Sequence, residues 1–238
     1  MTTLKDKVAV VTGSTRGIGR AIAEMLLDEG VKVVVSARDT AQVERAARDL
    51  AARGAVAGVP CDVRNRGQVD ALIAAAEQRF GGLDILVNNA GVGTFKNVAD
   101  MTDAEWAAVL DTNLTGVFYA SRAAVAAMKR RGGGTIVHVG SLAGKQSFPG
   151  AAAYCASKHG LLGFSEAFMQ EVRYDHIRVS CVMPGSVETG FGGEKRAPAE
   201  WKLTPGDVAE VVLGVLKQDG RALASRIELR PSEPARKG

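Results

Sequence analysis

The amino-acid sequence predicts an α/β protein in which a doubly wound parallel sheet of seven strands carries helices on both faces. Short runs rich in β-branched residues alternate with longer Ala-rich stretches from one end of the chain to the other. Most of the short runs are apolar throughout, as is typical of strands buried on both faces of a sheet. This strict alternation favours right-handed crossovers within one sheet. Because no Pro- or Ser-rich linker interrupts the 238 residues, we predict a single domain over residues 1–238.

Seven strands and six helices account for most of the chain. The predicted strands are Val8–Thr12, Val31–Ser36, Ala55–Pro60, Asp84–Asn88, Thr135–Gly140, Ile177–Met183 and Arg226–Leu229. The predicted helices cover roughly Gly17–Glu29, Ala41–Ala52, Gln68–Phe80, Asp103–Lys129, Ala152–Arg173 and Asp207–Lys217. Thr102 and Glu105 have the spacing of a capping box, and Thr204 precedes a proline suited to the first position of a helix. Gly30 follows the first helix, where glycine commonly ends a helix.

Two segments fall outside this alternation. Residues 190–204 form an insertion with Gly, Pro and Lys directly after a strand, and we predict that they contribute to a substrate pocket. Residues 230–238 are polar, contain two prolines, and are predicted to form a loose C-terminal tail.

Composition excludes several classes of protein. A total of 30 Lys and Arg against 26 Asp and Glu gives a net charge of +4, and the only basic block is residues 129–131. We therefore expect no nucleic-acid partner. No apolar run approaches the about 18 residues of a membrane span, so we expect no membrane association. The first residues are too charged for a signal peptide.

Cysteine and histidine usage favours a cytoplasmic protein without a bound metal. The three cysteines are odd in number and scattered, as expected for reduced thiols, at Cys61, Cys155 and Cys181. The three histidines lack the spacing of metal ligands, at His138, His159 and His176. Of these, His138 falls in a predicted strand, and we expect no catalytic role for it.

A glycine-rich turn joins the first strand to the first helix. Its residues are Gly13, Ser14, Thr15, Arg16, Gly17, Ile18 and Gly19. Three glycines let the backbone approach a pyrophosphate, while the N–H groups and dipole of the following helix attract the anion. The alternative is a plain tight turn, which does not explain three glycines. Because the turn follows a strand and opens a helix, we predict a dinucleotide site.

Tyr154 and Lys158 lie one turn apart on a predicted helix and therefore share a face. A nearby ammonium group favours phenolate and lowers the pKa of a tyrosine, which suits proton exchange with an alcohol near neutral pH. Such a pair is also common on protein surfaces. Ser141 supports the catalytic interpretation because it ends a strand 13 residues earlier, and ligands bind at the carboxyl ends of such strands.

Several motifs in order make the sequence resemble the short-chain dehydrogenase/reductase family over about residues 7 to 216. They are Thr12-Gly13-x-x-x-Gly17-x-Gly19, Asp62-Val63, Asn88-Asn89-Ala90-Gly91, Asn113, Ser141, Tyr154-x-x-x-Lys158, and Pro184-Gly185 followed by Thr189. The resemblance implies a Rossmann-type sheet, a nicotinamide cofactor, and hydride exchange between a carbonyl and a secondary alcohol.

The resemblance also implies residue roles. Tyr154 would be the general acid in reduction and the base in oxidation, and Ser141 would hydrogen-bond the substrate oxygen. Lys158 would lower the pKa of Tyr154 and hold the nicotinamide ribose. Asn113 would keep a bend in its helix and hold a water linked to Lys158, although it could merely cap a helix break.

The remaining implied cofactor contacts follow the strand ends. Asp62 and Val63 would meet the adenine, although Asp62 could simply cap a helix. The residues implied beside the glycine loop are Asn88, Asn89, Ala90 and Gly91. Those implied at the nicotinamide are Pro184, Gly185, Val187 and Thr189.

The end of the second strand indicates which dinucleotide is preferred. NAD-selective sites place an acidic residue here to bind the ribose 2′-hydroxyl, but this position is Ala37. Arg38 follows it, and Arg16 lies in the glycine loop, so two guanidinium groups could clamp a 2′-phosphate. Alternatively, Arg38 is a solvated loop residue neutralised by Asp39. We predict that NADP(H) is preferred over NAD(H).

Three functions are compatible with these motifs. The leading hypothesis is an NADP(H)-dependent reductase of a small carbonyl compound, or equivalently a secondary-alcohol dehydrogenase, with an unknown substrate. The second is a 3-oxoacyl-[acyl-carrier-protein] reductase, whose acidic partner would dock on a basic patch. The candidates for that patch are Lys129, Arg130, Arg131 and Arg173, although cations at helix ends need no partner. The third is a cofactor-binding sensor or scaffold without turnover.

The family also implies a homodimer or homotetramer formed through the two long Ala-rich helices. The last strand lacks the Asp-Gly-Gly-like ending of many relatives, which puts in doubt any contact built from the C-terminus. The pocket residues expected around Ser141 and after Thr189 include Ala143, Lys145, Gln146, Phe148, Ala151, Phe191, Glu194 and Lys195. Their character indicates a moderately apolar carbonyl substrate.

Overall fold

All seven predicted strands form one parallel sheet in the order β3-β2-β1-β4-β5-β6-β7. The computed structural model describes residues 2–192 and 199–234. The strands are β1 (Val8–Thr12), β2 (Lys32–Ser36), β3 (Val56–Gly58), β4 (Ile85–Asn88), β5 (Gly134–Val139), β6 (Ile177–Pro184) and β7 (Arg226–Leu229). The predicted fold class, a doubly wound parallel sheet in a single α/β domain, is confirmed.

Helices cover both faces of the sheet. The α-helices of the described residues are α1 (Gly17–Asp28), α2 (Thr40–Leu50), α3 (Arg66–Phe80), α4 (Asp103–Leu110), α5 (Gly116–Arg131), α6 (Ala152–Val172) and α7 (Pro205–Leu216). Ala9 and Val11 of β1 face a core shared with α1, α2 and α7, while Val8 and Val10 face a core shared with α3, α5 and α6. Burial on both faces explains why the strands read as continuous apolar runs.

The long helix predicted over Asp103–Lys129 is wrong in one respect, because it is two α-helices joined by a π-helix at Asp111–Thr115. The wider turn brings Asn113 inward, where its side chain bonds the backbone of Val92. This tertiary contact is not visible in a helical sequence pattern. The capping box predicted at Thr102 is present, and the helix start predicted at Thr204 is also present, where Thr204 and Asp207 form a second capping box.

Six of the fifteen residues of the predicted insertion, 193–198, lie outside the described residues, and with them the expected pocket residues Glu194 and Lys195. Its described ends are joined by a bridge between Val187 and Leu203 and by an ion pair of 3.1 Å between Glu188 and Lys202. Residues 230–234 of the predicted loose tail lie along the main cleft, which Arg230, Pro231 and Pro234 help to line. Residues 235–238 lie outside the described part.

The topology places the functional loops together. Crossovers lead outward in opposite directions from β1 and β4, so the strand order reverses between these neighbours. In open parallel sheets, ligands bind at the carboxyl ends of the strands beside such a switch point. The glycine loop after β1, the turn after β4 and the segment around Ser141 after β5 meet there.

Candidate active site

A cleft of about 2120 Å³ runs along the carboxyl ends of the strands. It brings together most of the residues predicted from sequence. Those that line it are Gly13, Thr15, Arg16, Gly17, Ile18, Arg38, Asp62, Val63, Asn89, Ala90, Gly91, Ser141, Tyr154, Lys158, Pro184, Gly185, Val187 and Thr189. Ser14, Gly19 and Asn113 are buried behind the cleft wall instead.

The glycines of the loop are required by close backbone approach. Gly13 and Gly17 have positive φ angles of 64° and 56°. A Cβ on Gly19 would lie 2.4 Å from the backbone carbonyl oxygen of Gly13 and 2.4 Å from the side-chain amide nitrogen of Asn89. No described side chain caps the start of α1, so its N–H groups stay free for an anion. This cradle fits a dinucleotide pyrophosphate.

Side chains behind the loop hold the cradle in place. Thr12 accepts hydrogen bonds from the backbone N–H groups of Asn89 and Ala90, each at 3.0 Å. The Asn89 amide donates to the carbonyls of Thr12 and Gly13. The Ser14 hydroxyl donates to the carbonyl of Val11 and accepts from the N–H of Ser36. Ser14 therefore joins β1 to β2, and its side chain does not face the cleft.

Arg16 and Arg38, the two arginines expected at a 2′-phosphate, both line the cleft on the side where β1 and β2 end. Neither pairs with a carboxylate of the described residues, and a Cβ built on Gly190 would lie 3.9 Å from a terminal nitrogen of Arg16. The Asp39 side chain accepts from the N–H of Gln42 and caps α2, so the expected alternative, neutralisation of Arg38 by Asp39, is not what the structure has.

Asp62 lies beside this end of the cleft and is paired with Arg64. The two side chains are 2.6 Å apart, and the hydrogen bonds from Arg64 hold the pKa of the Asp62 carboxyl below its usual value. The alternative that Asp62 caps the next helix is wrong, because Asn65 caps α3. Arg64 has no motif in the sequence that would have predicted this pair.

Ser141, Tyr154 and Lys158 converge at the other end of the cleft. Ser141 follows β5 and caps a 3-10 helix at Leu142–Gly144, where its hydroxyl accepts from the N–H of Ala143 at 3.1 Å. Tyr154 lies in the first turn of α6. The Lys158 ammonium lies under it, 5.7 Å from the centre of the phenol ring, and donates to the carbonyl of Val139 at 2.9 Å.

Burial dominates the electrostatics of the Tyr154–Lys158 pair. It raises the pKa of Tyr154 above its ordinary value, although a hydrogen bond with Ser141 opposes the shift. It also lowers the pKa of Lys158 to about 8. The expected lowering of the tyrosine pKa by Lys158 is therefore wrong. The ammonium donates to the carbonyl of Val139, and burial is the largest influence on the phenol.

Asn113 connects the two halves of the site from behind. Its amide accepts from the N–H of Val92 and donates to the carbonyl of the same residue, both at 2.9 Å. It also donates to the Ser157 hydroxyl at 3.0 Å, and Ser157 donates to the carbonyl of Tyr154 at 2.7 Å. Ser157 was not predicted as a site residue, because a serine inside a helix carries no signal of this contact.

Asn88 does not line the cleft, in contrast to the expectation. It is buried and begins a chain of hydrogen bonds through Ser121, His138 and Ser165 that ends at the carbonyl of Leu161. Since Ser165 donates to that carbonyl, it is left to accept from Nδ1 of His138, and Nε2 accepts from Ser121. Burial lowers the pKa of His138 to about 3, so this neutral ring joins core elements.

The basic residues considered for carrier-protein docking lie at the wrong edge of the sheet. Lys129, Arg130 and Arg131 end α5 before β5, and Arg173 follows α6 before β6, so all four lie at the amino ends of the strands, away from the cleft. Lys129 pairs with Asp175 at 2.8 Å, and Arg130 pairs with Glu77 at 2.8 Å. Arg131 is paired as well, with Asp84 at 3.3 Å.

Two further features of the described residues concern membrane-spanning helices and metal-binding groups. Within residues 2–192 and 199–234, no helix is both long and apolar enough to cross a bilayer. The same residues contain no group of three or more His, Cys, Asp and Glu side chains arranged to hold a metal ion. All three cysteines are free and buried.

A glycine-cradled cleft at the switch point of a parallel sheet, ending in a Ser–Tyr–Lys cluster, defines a dinucleotide-dependent dehydrogenase or reductase. Comparison with known proteins agrees with this class. A family model described as short chain dehydrogenase matches residues 7–200. The chain belongs to the short-chain dehydrogenase/reductase family, and it is an NAD(P)-dependent oxidoreductase, as the resemblance implied.

Three similar proteins illustrate the range of the family. An uncharacterized oxidoreductase of Staphylococcus aureus (strain USA300) is 36% identical over 231 residues, covering 97% of this chain and 100% of the relative. A putative ketoacyl reductase of Streptomyces coelicolor is 42% identical over 199 residues, covering 82% of this chain and 76% of the relative. An alcohol dehydrogenase from the archaeon Thermococcus sibiricus, solved with 5-hydroxy-NADP, superimposes with a TM-score of 0.90 at 30% identity, covering 98% and 99% of the two chains.

Proposed function

We propose that the protein is an NADP(H)-dependent reductase of a small carbonyl compound, equivalently a secondary-alcohol dehydrogenase. The observation that carries the proposal is the convergence of Ser141, Tyr154 and Lys158 at one end of a cleft whose other end has a glycine cradle. The bound nicotinamide supplies or accepts the hydride. In reduction, the carbonyl carbon gains that hydride and the carbonyl oxygen gains a proton, which yields the alcohol.

Tyr154 provides the proton from its phenol oxygen. Its raised pKa keeps the phenol protonated at neutral pH, which is the state that an acid requires. The Ser141 hydroxyl, beside it, holds the substrate oxygen by a hydrogen bond. Lys158 remains a cation below its pKa of about 8 and stabilises negative charge as the proton leaves the phenol.

A dinucleotide would extend along the cleft from the glycine loop to Tyr154. The glycine loop and the start of α1 would hold the pyrophosphate, and Asp62 and Val63 would meet the adenine. The segments at Asn89–Gly91 and Pro184–Thr189 would hold the nicotinamide half. Arg16 and Arg38 would bind the 2′-phosphate, which would make NADP(H) preferred over NAD(H). The NADP-type ligand of the archaeal relative supports this choice.

The experiment is a panel of ketones and aldehydes with NADPH, followed by the loss of absorbance of the reduced nicotinamide. Turnover of at least one simple ketone, with its secondary alcohol as product, is the expected result. Tight NADPH binding without turnover of any carbonyl would contradict the proposal and favour the sensor or scaffold.

A 3-oxoacyl-[acyl-carrier-protein] reductase is the second candidate, and the Streptomyces relative is the observation that favours it. The position and pairing of the basic residues around Arg130 oppose it. The test compares kcat/KM for a carrier-linked thioester with that for a short thioester mimic, at low and high salt. A carrier advantage of about a hundredfold or more (roughly 2.7 kcal/mol) that salt abolishes would make this the better function.

We also propose that the enzyme is cytoplasmic and works as a homodimer or homotetramer through α5 and α6. Phe118 on α5 is a large apolar side chain that remains exposed in one protomer. Exposed apolar side chains on packed helices support contacts between copies. Light scattering after size-exclusion chromatography gives the mass that decides among monomer, dimer and tetramer.

A further inference from the structure

Three phenylalanines form what we call the aromatic wall, consisting of Phe95, Phe148 and Phe191. They come from separate loops, after β4, after β5 and after β6, and all three line the cleft. Their exposed fractions are 47%, 49% and 43%. Exposure of three large apolar side chains at one place is costly in water, so it indicates a surface that binds an apolar group.

The aromatic wall surrounds the catalytic phenol. The ring centroids of Phe95 and Phe191 are each 5.6 Å from that of Tyr154. Phe95 in turn contacts Phe148 at 6.3 Å and Phe191 at 6.4 Å. Because a substrate carbonyl must bind the Tyr154 hydroxyl, a group attached next to that carbonyl reaches these rings.

Two glycines leave the space that the rings occupy. A Cβ on Gly93 would lie 2.9 Å from atoms of both Phe95 and Phe191. Gly192 has a φ of 84°, and a Cβ there would lie 3.0 Å from Phe95. The backbone is therefore built so that the two rings can lie together over the phenol.

Besides the catalytic Lys158, two ion pairs of the described residues border this end of the cleft. Glu188 and Lys202 bind each other at 3.1 Å, and Arg230 binds Glu228 at 2.9 Å. The rings themselves present flat apolar faces without hydrogen-bond donors. Aromatic rings attract another ring in tilted or offset geometry beyond simple apolar burial.

We propose that the aromatic wall binds an aromatic ring of the substrate, so that the substrate class is ketones with an aryl group within one or two bonds of the carbonyl carbon, or the corresponding alcohols. This rests on the proposed carbonyl reductase function. It goes further, because it names the group that the pocket selects and the residues that select it.

The test uses two ketones of matched shape and equal carbonyl reactivity, 1-phenylpropan-2-one and 1-cyclohexylpropan-2-one, with 2-butanone as a small reference. An aromatic pair contributes roughly a two- to tenfold factor beyond apolar burial. The wild-type enzyme is expected to reduce the phenyl ketone with a kcat/KM several-fold above that of the cyclohexyl ketone. Phe95→Leu and Phe191→Leu should remove most of that ratio, and kcat/KM for 2-butanone, measured for each variant, gives its overall activity as the reference.

Phe80→Leu is the matched control, because Phe80 ends α3 at the far edge of the sheet and does not line the cleft. It should leave the phenyl-to-cyclohexyl ratio unchanged. The proposed preference of the aromatic wall for an aryl group would be overturned by equal kcat/KM for the two ketones, or by a phenyl-to-cyclohexyl ratio that stays the same in both wall variants. The proposed reductase function would not be affected by either result.

A binding measurement separates the two proposals if nothing turns over. Ligand-detected NMR measures the same two ketones on the protein with NADP⁺ present. Preferential binding of the phenyl ketone, lost in Phe95→Leu, would support the wall even in a protein that reduced no carbonyl. Equal binding of both ketones in the absence of turnover would reject the wall together with the reductase function.

Discussion

Backbone atoms form one end of the cleft, and side chains form the other. The dinucleotide end is made of backbone, where Gly13, Gly17 and Gly19 fold tightly and no Cβ fits at Gly19. The substrate end is made of side chains, where Phe95 and Phe191 close around Tyr154 from separate loops. One end therefore depends on the absence of side chains and the other on their identity.

This difference predicts which end of the cleft tolerates amino-acid substitution. A backbone cradle tolerates almost no substitution, because a Cβ at 2.4 Å from a carbonyl cannot be relieved by a rotamer change. An aromatic surface accepts substitution with a change of preference and little loss of fold. The cradle thus determines that a dinucleotide binds, whereas the side-chain end determines which carbonyl is selected. Four changes test whether the two ends are this independent.

The largest expected effect is the loss of turnover in Tyr154→Phe without loss of cofactor. Removing a positioned acid typically lowers kcat by about 10²–10⁴-fold. The dissociation constant of NADPH, measured by fluorescence titration, should change little because the phenol oxygen acts on the substrate. Tyr119→Phe on α5, away from the cleft, is the control and should behave as wild type. If Tyr154→Phe retained most of its turnover, the assignment of Tyr154 as the general acid would be wrong.

The next effect is a reversal of cofactor preference in Ala37→Asp combined with Arg38→Leu. The change removes one guanidinium from the 2′-phosphate and places a carboxylate near the ribose 2′-hydroxyl. Hydrogen bonds to charged groups are each worth about 1.5–3 kcal/mol, so the NADPH-to-NADH ratio of kcat/KM should shift by roughly a hundredfold.

Arg64→Leu is the control for this swap, because Arg64 pairs with Asp62 and does not line the cleft. The NADPH-to-NADH ratio of kcat/KM for Arg64→Leu should stay close to that of the unmodified protein. Equal kcat/KM for the two cofactors in the unmodified protein would show that Arg16 and Arg38 do not select the phosphate.

The sheet and the glycine loop at the dinucleotide end could both be predicted from the sequence alone. Buried parallel strands must be apolar, and a tight cradle must be glycine, so both leave a local pattern. The π-helix at Asp111–Thr115 left none, because it is set by a contact between Asn113 and a loop 21 residues away. Asn88 followed the family motif in sequence, yet its side chain turns into the core.

The substrate end shows the same limit. Phe148 and Phe191 were expected as pocket residues because the family resemblance implies a pocket in their segments, but Phe95 was not. Its place beside Tyr154 depends on glycines and loop paths that only the folded chain defines. The pKa of Tyr154 was predicted in the wrong direction for a related reason. Residue spacing shows that a cation is near, but the extent of burial is known only from the structure.

A third, smaller effect is the pH dependence of reduction. Lys158 has a pKa lowered to about 8 by burial, so it loses its charge above pH 8, whereas Tyr154, with a raised pKa, stays protonated. We expect kcat/KM for NADPH to be level below pH 8 and to fall about tenfold per pH unit above it, as for loss of one proton. Initial rates at constant ionic strength measure this profile. A profile that stays level to pH 10 would show that the charge of Lys158 is not required.

The smallest expected effect is that of Ser157→Ala, which tests how the two ends are held together. Ser157 joins Asn113 to the carbonyl of Tyr154, while Asn113 keeps its bonds to Val92. Loss of one buried hydrogen-bonded hydroxyl should lower the free energy of unfolding by about 1 kcal/mol. Because the start of α6 is then less firmly positioned, kcat should fall a few-fold while the dissociation constant of NADPH stays constant.

Ser180→Ala provides the contrast for Ser157→Ala. Ser180 lies buried on β6, and its hydroxyl forms no hydrogen bond with a described residue. Replacing an unpaired buried hydroxyl with a methyl group should leave stability unchanged or raise it slightly, with kcat unaffected. Urea unfolding and initial rates compare the two variants directly. If both variants lost stability and turnover alike, the effect of Ser157 would be general core packing, and the link from Asn113 to Tyr154 would have no role in positioning the acid.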